Sequence, residues 1–302
     1  MATELIVSKN FKSDSLQLIE AANRIIGEYQ KQGFALTLRQ LYYQFVARAL
    51  LANTMQSYKR LGSVINDARL AGMIDWEMIE DRTRGIEIRS RWTSPRSGIE
   101  ALRSQYHIDL WANQPKRVEV WIEKEALVGV IEAICRSYDV PYLACRGYVS
   151  QSEQWRAYRR IEEYYSQNGQ KTIVLHFGDH DPSGIDMTRD NGDRLQLFLE
   201  SAISSESESA FEVHRLALNW DQIEQYNPPP NPAKMTDSRF EGYERKYGDK
   251  SWELDALEPK VITELIRKNV LEHIDTDLWS ERVEQLNAER AILSKIIEDL
   301  PS

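Results

Sequence analysis

The chain has 302 residues, of which 42% are hydrophobic and 28% charged, an ordinary globular composition with length enough for two domains with cores of their own. A formal net charge of −9 argues against an indiscriminate nucleic-acid binder, and two cysteines, Cys135 and Cys145, both in apolar context, make no disulfide framework. No apolar run approaches the ~20 residues of a membrane helix and MATELIVSKN lacks a signal-peptide core, so no membrane contact is expected and the compartment reads as cytoplasmic.

Residues 14–31 carry helical periodicity, with Leu16, Ile19, Ala22 and Ile26 on one face. Thr37 is placed to cap a second helix, LRQLYYQFVARALL. Ser57 predicts the start of a third, running to about Ala71 and stopped by Gly72. IDWEMIEDRTRG then reads as a strand and a turn, with a return strand in IEIRSRW. Three helices followed by a basic hairpin is the order of a winged-helix (CAP-like) domain, here over residues 1–115. Lys59 and Arg60 on its third helix and Arg82, Arg84, Arg89 and Arg91 in its wing are the expected DNA contacts. The plain alternative is a small helical domain with a solvated charged loop. Charge supports the first reading: residues 1–118 hold 17 Lys+Arg against 12 Asp+Glu, whereas the remainder holds 21 against 35.

Residues 116–302 alternate strand and helix. Strands are expected at about 117–123, 141–146, 171–178 and 212–218, with helices at about 125–138, 152–166 and 184–200 between them. That rhythm predicts a Rossmann-like parallel sheet with helices on both faces, so the chain as a whole reads as α/β plus α+β. Ser204 to Ser209 reads as a polar loop without function. Asn227-Pro-Pro-Pro-Asn-Pro232 opens a polar, mobile segment to about Lys250. A helix pair at about 258–271 and 279–298 closes the chain.

Two strands end in acid. Val118-Glu119-Val120-Trp121-Ile122 runs into Glu123-Lys124-Glu125, and Ile173-Val174-Leu175-His176-Phe177-Gly178 into Asp179-His180-Asp181-Pro182-Ser183-Gly184. Open parallel sheets bind ligands beyond the carboxyl ends of their strands. Residues i and i+2 of an extended chain share a side, so Asp179 and Asp181 can reach one ion. Glu123 completes a hard-oxygen site for one or two Mg²⁺ ions per subunit. Standing alone, Asp-x-Asp-Pro-x-Gly would be a turn with a helix cap. His176, inside an apolar strand, reads as a core histidine.

The second constellation lies on the second helix, in Thr37-Leu-Arg39-Gln-Leu-Tyr42-Tyr43-Gln44. At 100° per residue, Leu38, Leu41, Tyr42, Phe45 and Ala49 share a face, so Tyr42 reads as core. Tyr43 projects elsewhere, one turn after Arg39, and is expected to expose its hydroxyl. A free phenol has a pKa of ~10, and a neighbouring guanidinium helps it act as a nucleophile.

The acidic pair resembles the Toprim domain of topoisomerases, primases and some nucleases. That resemblance implies Glu123, Asp179 and Asp181 as Mg²⁺ ligands, Glu125 as a further acid and Lys124 as a phosphate contact. With RQLYYQ before it, the chain over roughly residues 35–260 resembles the A subunit of topoisomerase VI and the related meiotic double-strand-break protein, and its short length resembles their compact Mini-A group. The resemblance implies a DNA-cleaving type IIB topoisomerase A-like protein. Tyr43, helped by Arg39, would attack double-stranded DNA to give a 5′-phosphotyrosyl adduct, working as a homodimer whose tyrosine and metal site come from different subunits. It further implies a nucleoid location and a separate ATPase subunit of the B type. Trp252-Glu253-Leu254-Asp255-Ala256-Leu257 resembles a late Toprim-associated element, its acids read as salt-bridged surface groups. The competing readings are a hydrolytic Toprim nuclease and a non-catalytic winged-helix DNA-binding protein.

Overall fold

The computed structural model describes residues 3–80, 89–203 and 207–300. Its N-terminal part is three helices around one core. They are α1 (Ser13–Gln30), α2 (Leu38–Ala47) and α3 (Met55–Leu70). Helix α2 begins where a reciprocal cap allows: Gln40 N donates to Thr37 Oγ1 (3.2 Å) and Thr37 N to Gln40 Oε1 (2.9 Å). Helix α3 is capped by Thr54, three residues before the expected Ser57, whose own amide donates to the Thr54 hydroxyl. Ile19, Ile25, Leu41, Phe45, Leu61 and Ile65 are fully buried between the three.

The expected hairpin is corrected where it can be followed. Trp76–Met78 is a single 3-10 turn rather than a strand, and Ile79 makes one isolated parallel bridge to Leu36. Residues 81–88, with Arg82 and Arg84, lie outside the described residues. Beyond them, α4 (Pro95–Gln105) is a helix where none was expected. Ser94 and Ser97 cap it reciprocally and Pro95 occupies its first turn.

The second half is a four-stranded parallel sheet in the order β2-β1-β3-β4, built from β1 (Lys116–Ile122), β2 (Tyr142–Ala144), β3 (Lys171–Phe177) and β4 (Phe211–Ala217). Alternation along the strands splits its side chains between two layers. Val118, Val120, Ile122, Ile173, Leu175 and Phe177 pack with α5 (Val128–Ser137) and α11 (Pro259–Leu271). Trp121 and Val174 pack with α6 (Gln151–Asn168) and α7 (Pro182–Ile203) on the other face. A short α8 (Ser207–Ala210) leads into β4. Helix α12 (Thr276–Glu298) returns to α4, where Arg290 donates to the Tyr106 carbonyl and the Tyr106 hydroxyl to Glu289 (2.5 Å).

The segment after the proline run is ordered, against expectation. It holds α9 (Trp220–Tyr226), a strand pair β5 (Asn231–Pro232) and β6 (Lys250–Ser251), and α10 (Phe240–Tyr247). The Tyr243 hydroxyl pins it, its single proton lying within reach of the carbonyls of His180 (3.0 Å) and Lys250 (2.9 Å), and Trp252 bridges His180 in antiparallel register. Among the described residues, no helix is long and apolar enough to cross a membrane.

Candidate active site

Register places the strand-end acids together. Ile122 pairs with Phe177, so β1 and β3 stop side by side, and Glu123 N donates to the Phe177 carbonyl (2.8 Å). Glu123 Oε2 then accepts from Asp179 N (2.8 Å). Asp179 Oδ1 accepts from Leu254 N (2.8 Å) and meets Lys124 Nζ at 3.0 Å. Asp181 Oδ1 caps α7 by accepting from Gly184 N (2.6 Å) and the Ser183 hydroxyl (2.9 Å). Gly184 is required here: a Cβ on it would lie 2.2 Å from the Asp179 carbonyl oxygen. Arg215 braces the turn from below, donating to the carbonyls of Gly178, Asp179, Gly184 and Leu218.

The tyrosine helix meets this edge through the 252–257 segment. Arg39 is ion-paired to Glu253 and to Asp255 (Nε–Oδ2 3.2 Å). Lys124 is ion-paired to the same two acids (2.8 and 3.0 Å) and to Asp179. An unbroken chain of charge therefore runs from Arg39 through Glu253 and Asp255 to Lys124, Asp179 and Glu123, all within one chain. Glu253 and Asp255 were expected on the surface. They are ion-paired, but Asp255 is buried and both sit at the centre of the site. Their signal was the same i, i+2 spacing of carboxylates that marked Asp179 and Asp181.

Tyr43 is corrected as well. Both Tyr42 and Tyr43 are buried, at 5% and 4% exposure. The helical projection identified the face turned to the α1–α3 core, but the opposite face is covered by Asn231 and Glu253 from the second half. Arg39 lies 5.8 Å from the Tyr43 ring centroid, and the Tyr43 hydroxyl has a long 3.5 Å contact from Asn231 Nδ2 and also interacts with the Glu253 and Arg39 side chains. Burial, then the charges of Asp255 and Glu253, push the phenol up to about 12, with Arg39 opposing. The expected phenolate stabilisation by Arg39 is thus outweighed in this conformation. Of the other expected residues, Glu125 turns away to pair with Arg146, and Lys59, Arg60, Arg89 and Arg91 are exposed.

The acids differ in electrostatics. Burial pushes the Asp179 carboxyl up to about 7, with Lys124 opposing and Glu123 adding to the push. Burial raises Glu123 too. Burial also opposes ionisation of Glu253, but Lys124 and Arg39 outweigh it and bring that carboxyl down to about 2. His176 is a core histidine: it is fully buried, shares a 2.8 Å hydrogen bond with Thr188, and is pushed by burial to about 3.

Among the described residues, no three carboxylate, imidazole or thiol groups stand ready-made around an ion. The donor set nevertheless fits a hard divalent cation. Glu123, Asp179 and Asp181 each commit one oxygen to the backbone, leaving Oε1, Oδ2 and Oδ2 without a hydrogen bond among the described residues. The connected cluster gathers five carboxylates, Glu123, Asp179, Asp181, Glu253 and Asp255, against three cations, Lys124, Arg39 and Arg215. Counted as fully ionised, it is two positive charges short, the charge of such an ion. In comparisons with known proteins, the chain matches no family model and no curated sequence.

Proposed function

We propose that the chain is a DNA-cleaving enzyme of the type IIB topoisomerase A-subunit kind, acting on double-stranded DNA as a C2 homodimer. One observation carries the reading. A tyrosine–arginine helix and a carboxylate-lined sheet edge, far apart in sequence, share one continuous charged site through Arg39, Glu253, Asp255 and Lys124.

In the proposed reaction, Tyr43 Oη forms a bond to a backbone phosphorus and the P–O3′ bond breaks. The protein is left on the 5′ phosphate and a 3′-OH is released that can later reverse the step. Arg39 and Lys124 neutralise the non-bridging oxygens. Glu123, Asp179 and Asp181 would hold Mg²⁺, and when bound it would supply Lewis-acid stabilisation of developing negative charge. Tyr43 must come out of its present cover first, because a phenol held at about 12 surrenders its proton poorly near neutral pH. A two-fold dimer would cut both strands; because Arg39 and Lys124 meet through Glu253 within one chain, each subunit would use its own tyrosine and acids rather than the shared arrangement that the resemblance implies. A separate ATPase subunit of the B type would supply any energy-driven strand passage.

The burial of Tyr43 favours a second reading, a hydrolytic nuclease in which water rather than Tyr43 attacks the diester, Glu123, Asp179 and Asp181 would hold the cation, and Tyr43 only packs. Plasmid incubated with Mg²⁺ and quenched in detergent, with and without protease, separates the two. Protein-linked ends that vanish in Tyr43→Phe support transesterification. Free ends from both wild type and Tyr43→Phe support hydrolysis and sink the topoisomerase reading.

A further inference from the structure

Glu253 occupies an unusual position for a carboxylate. Its Oε2 accepts from both Arg39 and Lys124, the latter at 2.8 Å. Its Oε1 lies 3.4 Å from Asn231 Nδ2, and that same amide lies 3.5 Å from Tyr43 Oη. One oxyanion is therefore held by a guanidinium, an ammonium and an amide donor beside a phenol. The non-bridging oxygens of a phosphodiester call for the same donors in the same place. A cavity of about 290 Å³, lined in part by Arg39, Tyr43, Asn53, Tyr58, Asn231 and Glu253, opens onto this point.

We infer that Arg39, Lys124 and Asn231 form the seat of the scissile phosphodiester, and that Glu253 fills this seat in cis until DNA displaces it. The inference rests on the DNA-cleavage reading above. Two details make Glu253 the displaceable group. Its side chain keeps 22% exposure against 2% for Asp255, so it can swing outward while Asp255 cannot. Asp255 meanwhile holds both cations, Arg39 at 3.2 Å and Lys124 at 3.0 Å, so the seat persists when Glu253 leaves. Glu253 also precedes the buried 3-10 turn Leu254–Ala256, so its rotation disturbs no core contact of that turn.

The test is binding of a short fluorescent duplex in EDTA, with every protein carrying Tyr43→Phe so that no bond is cut. Glu253→Gln should tighten binding about tenfold. It should also steepen the salt dependence by about one released counterion, as expected when one more phosphate is neutralised. Adding Arg39→Gln should erase the gain. The exposed Glu244→Gln on α10 controls for loss of a negative charge as such and should change affinity less than about twofold. Should Glu253→Gln fold poorly in a thermal melt, Glu253→Asp replaces it. That variant keeps the charge but retracts it by one methylene, and the same direction is expected. Glu253 variants that fold and bind no tighter than Glu244→Gln overturn the seat. The two readings fail separately. Tightened binding with no covalent adduct from wild type and Mg²⁺ leaves the seat and removes the cleavage reading, whereas an adduct with unchanged affinity removes only the seat.

Discussion

Asp179 and Glu253 stand on either side of one ammonium, that of Lys124, at 3.0 and 2.8 Å, and their carboxyls are driven in opposite directions. Asp179 lies in the strand-end region, where burial and the neighbouring Glu123 hold it up at about 7. Glu253 lies in the 252–257 region, where Arg39 joins Lys124 and the carboxyl falls to about 2. The difference lies in burial as well as company, since the deeply buried Asp255 is raised although Lys124 and Arg39 both pair with it. Lys124 and Arg215 only partly offset the burial of the strand-end acids, which suits those acids to receive a divalent cation. Glu253 is held by both Lys124 and Arg39 and stays ionised, where an anion would sit.

The largest expected effect sharpens this contrast at the strand end. Asp179→Asn should reduce Mg²⁺-dependent cleavage about 10²–10³-fold, the scale of one lost electrostatic stabiliser, while leaving the melting temperature unchanged or higher. EDTA should do the same to wild type. A large drop in melting temperature with near-normal cleavage would reverse the roles assigned to the two regions. Across Lys124, Asp255→Ala should behave the opposite way in stability and cost about 3 kcal/mol. That is the low end of breaking a buried pair, because Lys124 retains Glu253 and Asp179. Denaturant melts of both variants decide it.

pH supplies a third way to separate the regions. The folded-state pKa of Asp179 is raised above its unfolded value, so the folded protein binds more protons between about 4 and 7. The Asp179 carboxyl therefore favours folding increasingly as pH falls through that window, by at most about 1.4 kcal/mol per unit. Glu253 is depressed, so its contribution is present above about 4.5 and is lost as pH falls toward 2. His176, held near 3, also loses stability as pH falls below about 6.5, against the Asp179 effect. Comparing wild type with Asp179→Asn cancels the histidine. In metal-free buffer, stability of wild type relative to Asp179→Asn should rise from pH 7 to pH 4. A flat difference would show that burial does not govern this carboxyl.

The same two regions differ in how far sequence reaches them. The strand-end acids are set by local rules: β-branched runs, abrupt turn signals and the register of two adjacent parallel strands. The sheet, its helices and the placement of Glu123 beside Asp179 follow from those. The cover on Tyr43 does not, because Asn231 lies 188 positions away and no helical wheel records a second domain. Helix α4 starts at Ser94-Pro95, a cap-and-proline signal that a wing-centred reading of this stretch does not use. The segment after the proline run is polar in overall composition, but Tyr243, Tyr247 and Trp252 pack around His180 and Phe240 packs with Ala233 and Tyr243, which orders it. The wing arginines Arg82 and Arg84 fall outside the described residues.

The smallest expected effect bears on the adjacent tyrosines, which burial alone does not distinguish. The Tyr42 hydroxyl is fully engaged: it accepts from Thr54 N at 2.8 Å and lies within 3.2 Å of the carbonyls of Ala52 and Thr54 and of the Asn53 side chain. These bonds shape the turn between α2 and α3. Removing that oxygen takes away the 2.8 Å acceptor of Thr54 N and leaves it only its bond to the Ala52 carbonyl (2.9 Å), so Tyr42→Phe should cost about 0.5–1.5 kcal/mol, the net worth of a hydrogen bond in a folded protein. The Tyr43 hydroxyl has a long contact, at the limit of hydrogen bonding, with the Asn231 amide, and its other neighbours, Glu253 and Arg39, are already ion-paired to each other and to Lys124 or Asp255. Tyr43→Phe should therefore fall near zero, within about 0.5 kcal/mol. A hydroxyl that the fold does not need, buried beside Arg39 and two acids, is free for chemistry. Paired denaturant melts measure the ordering directly. If Tyr43→Phe proves as costly as Tyr42→Phe, the Tyr43 hydroxyl is a structural group and the nucleophile must be sought elsewhere.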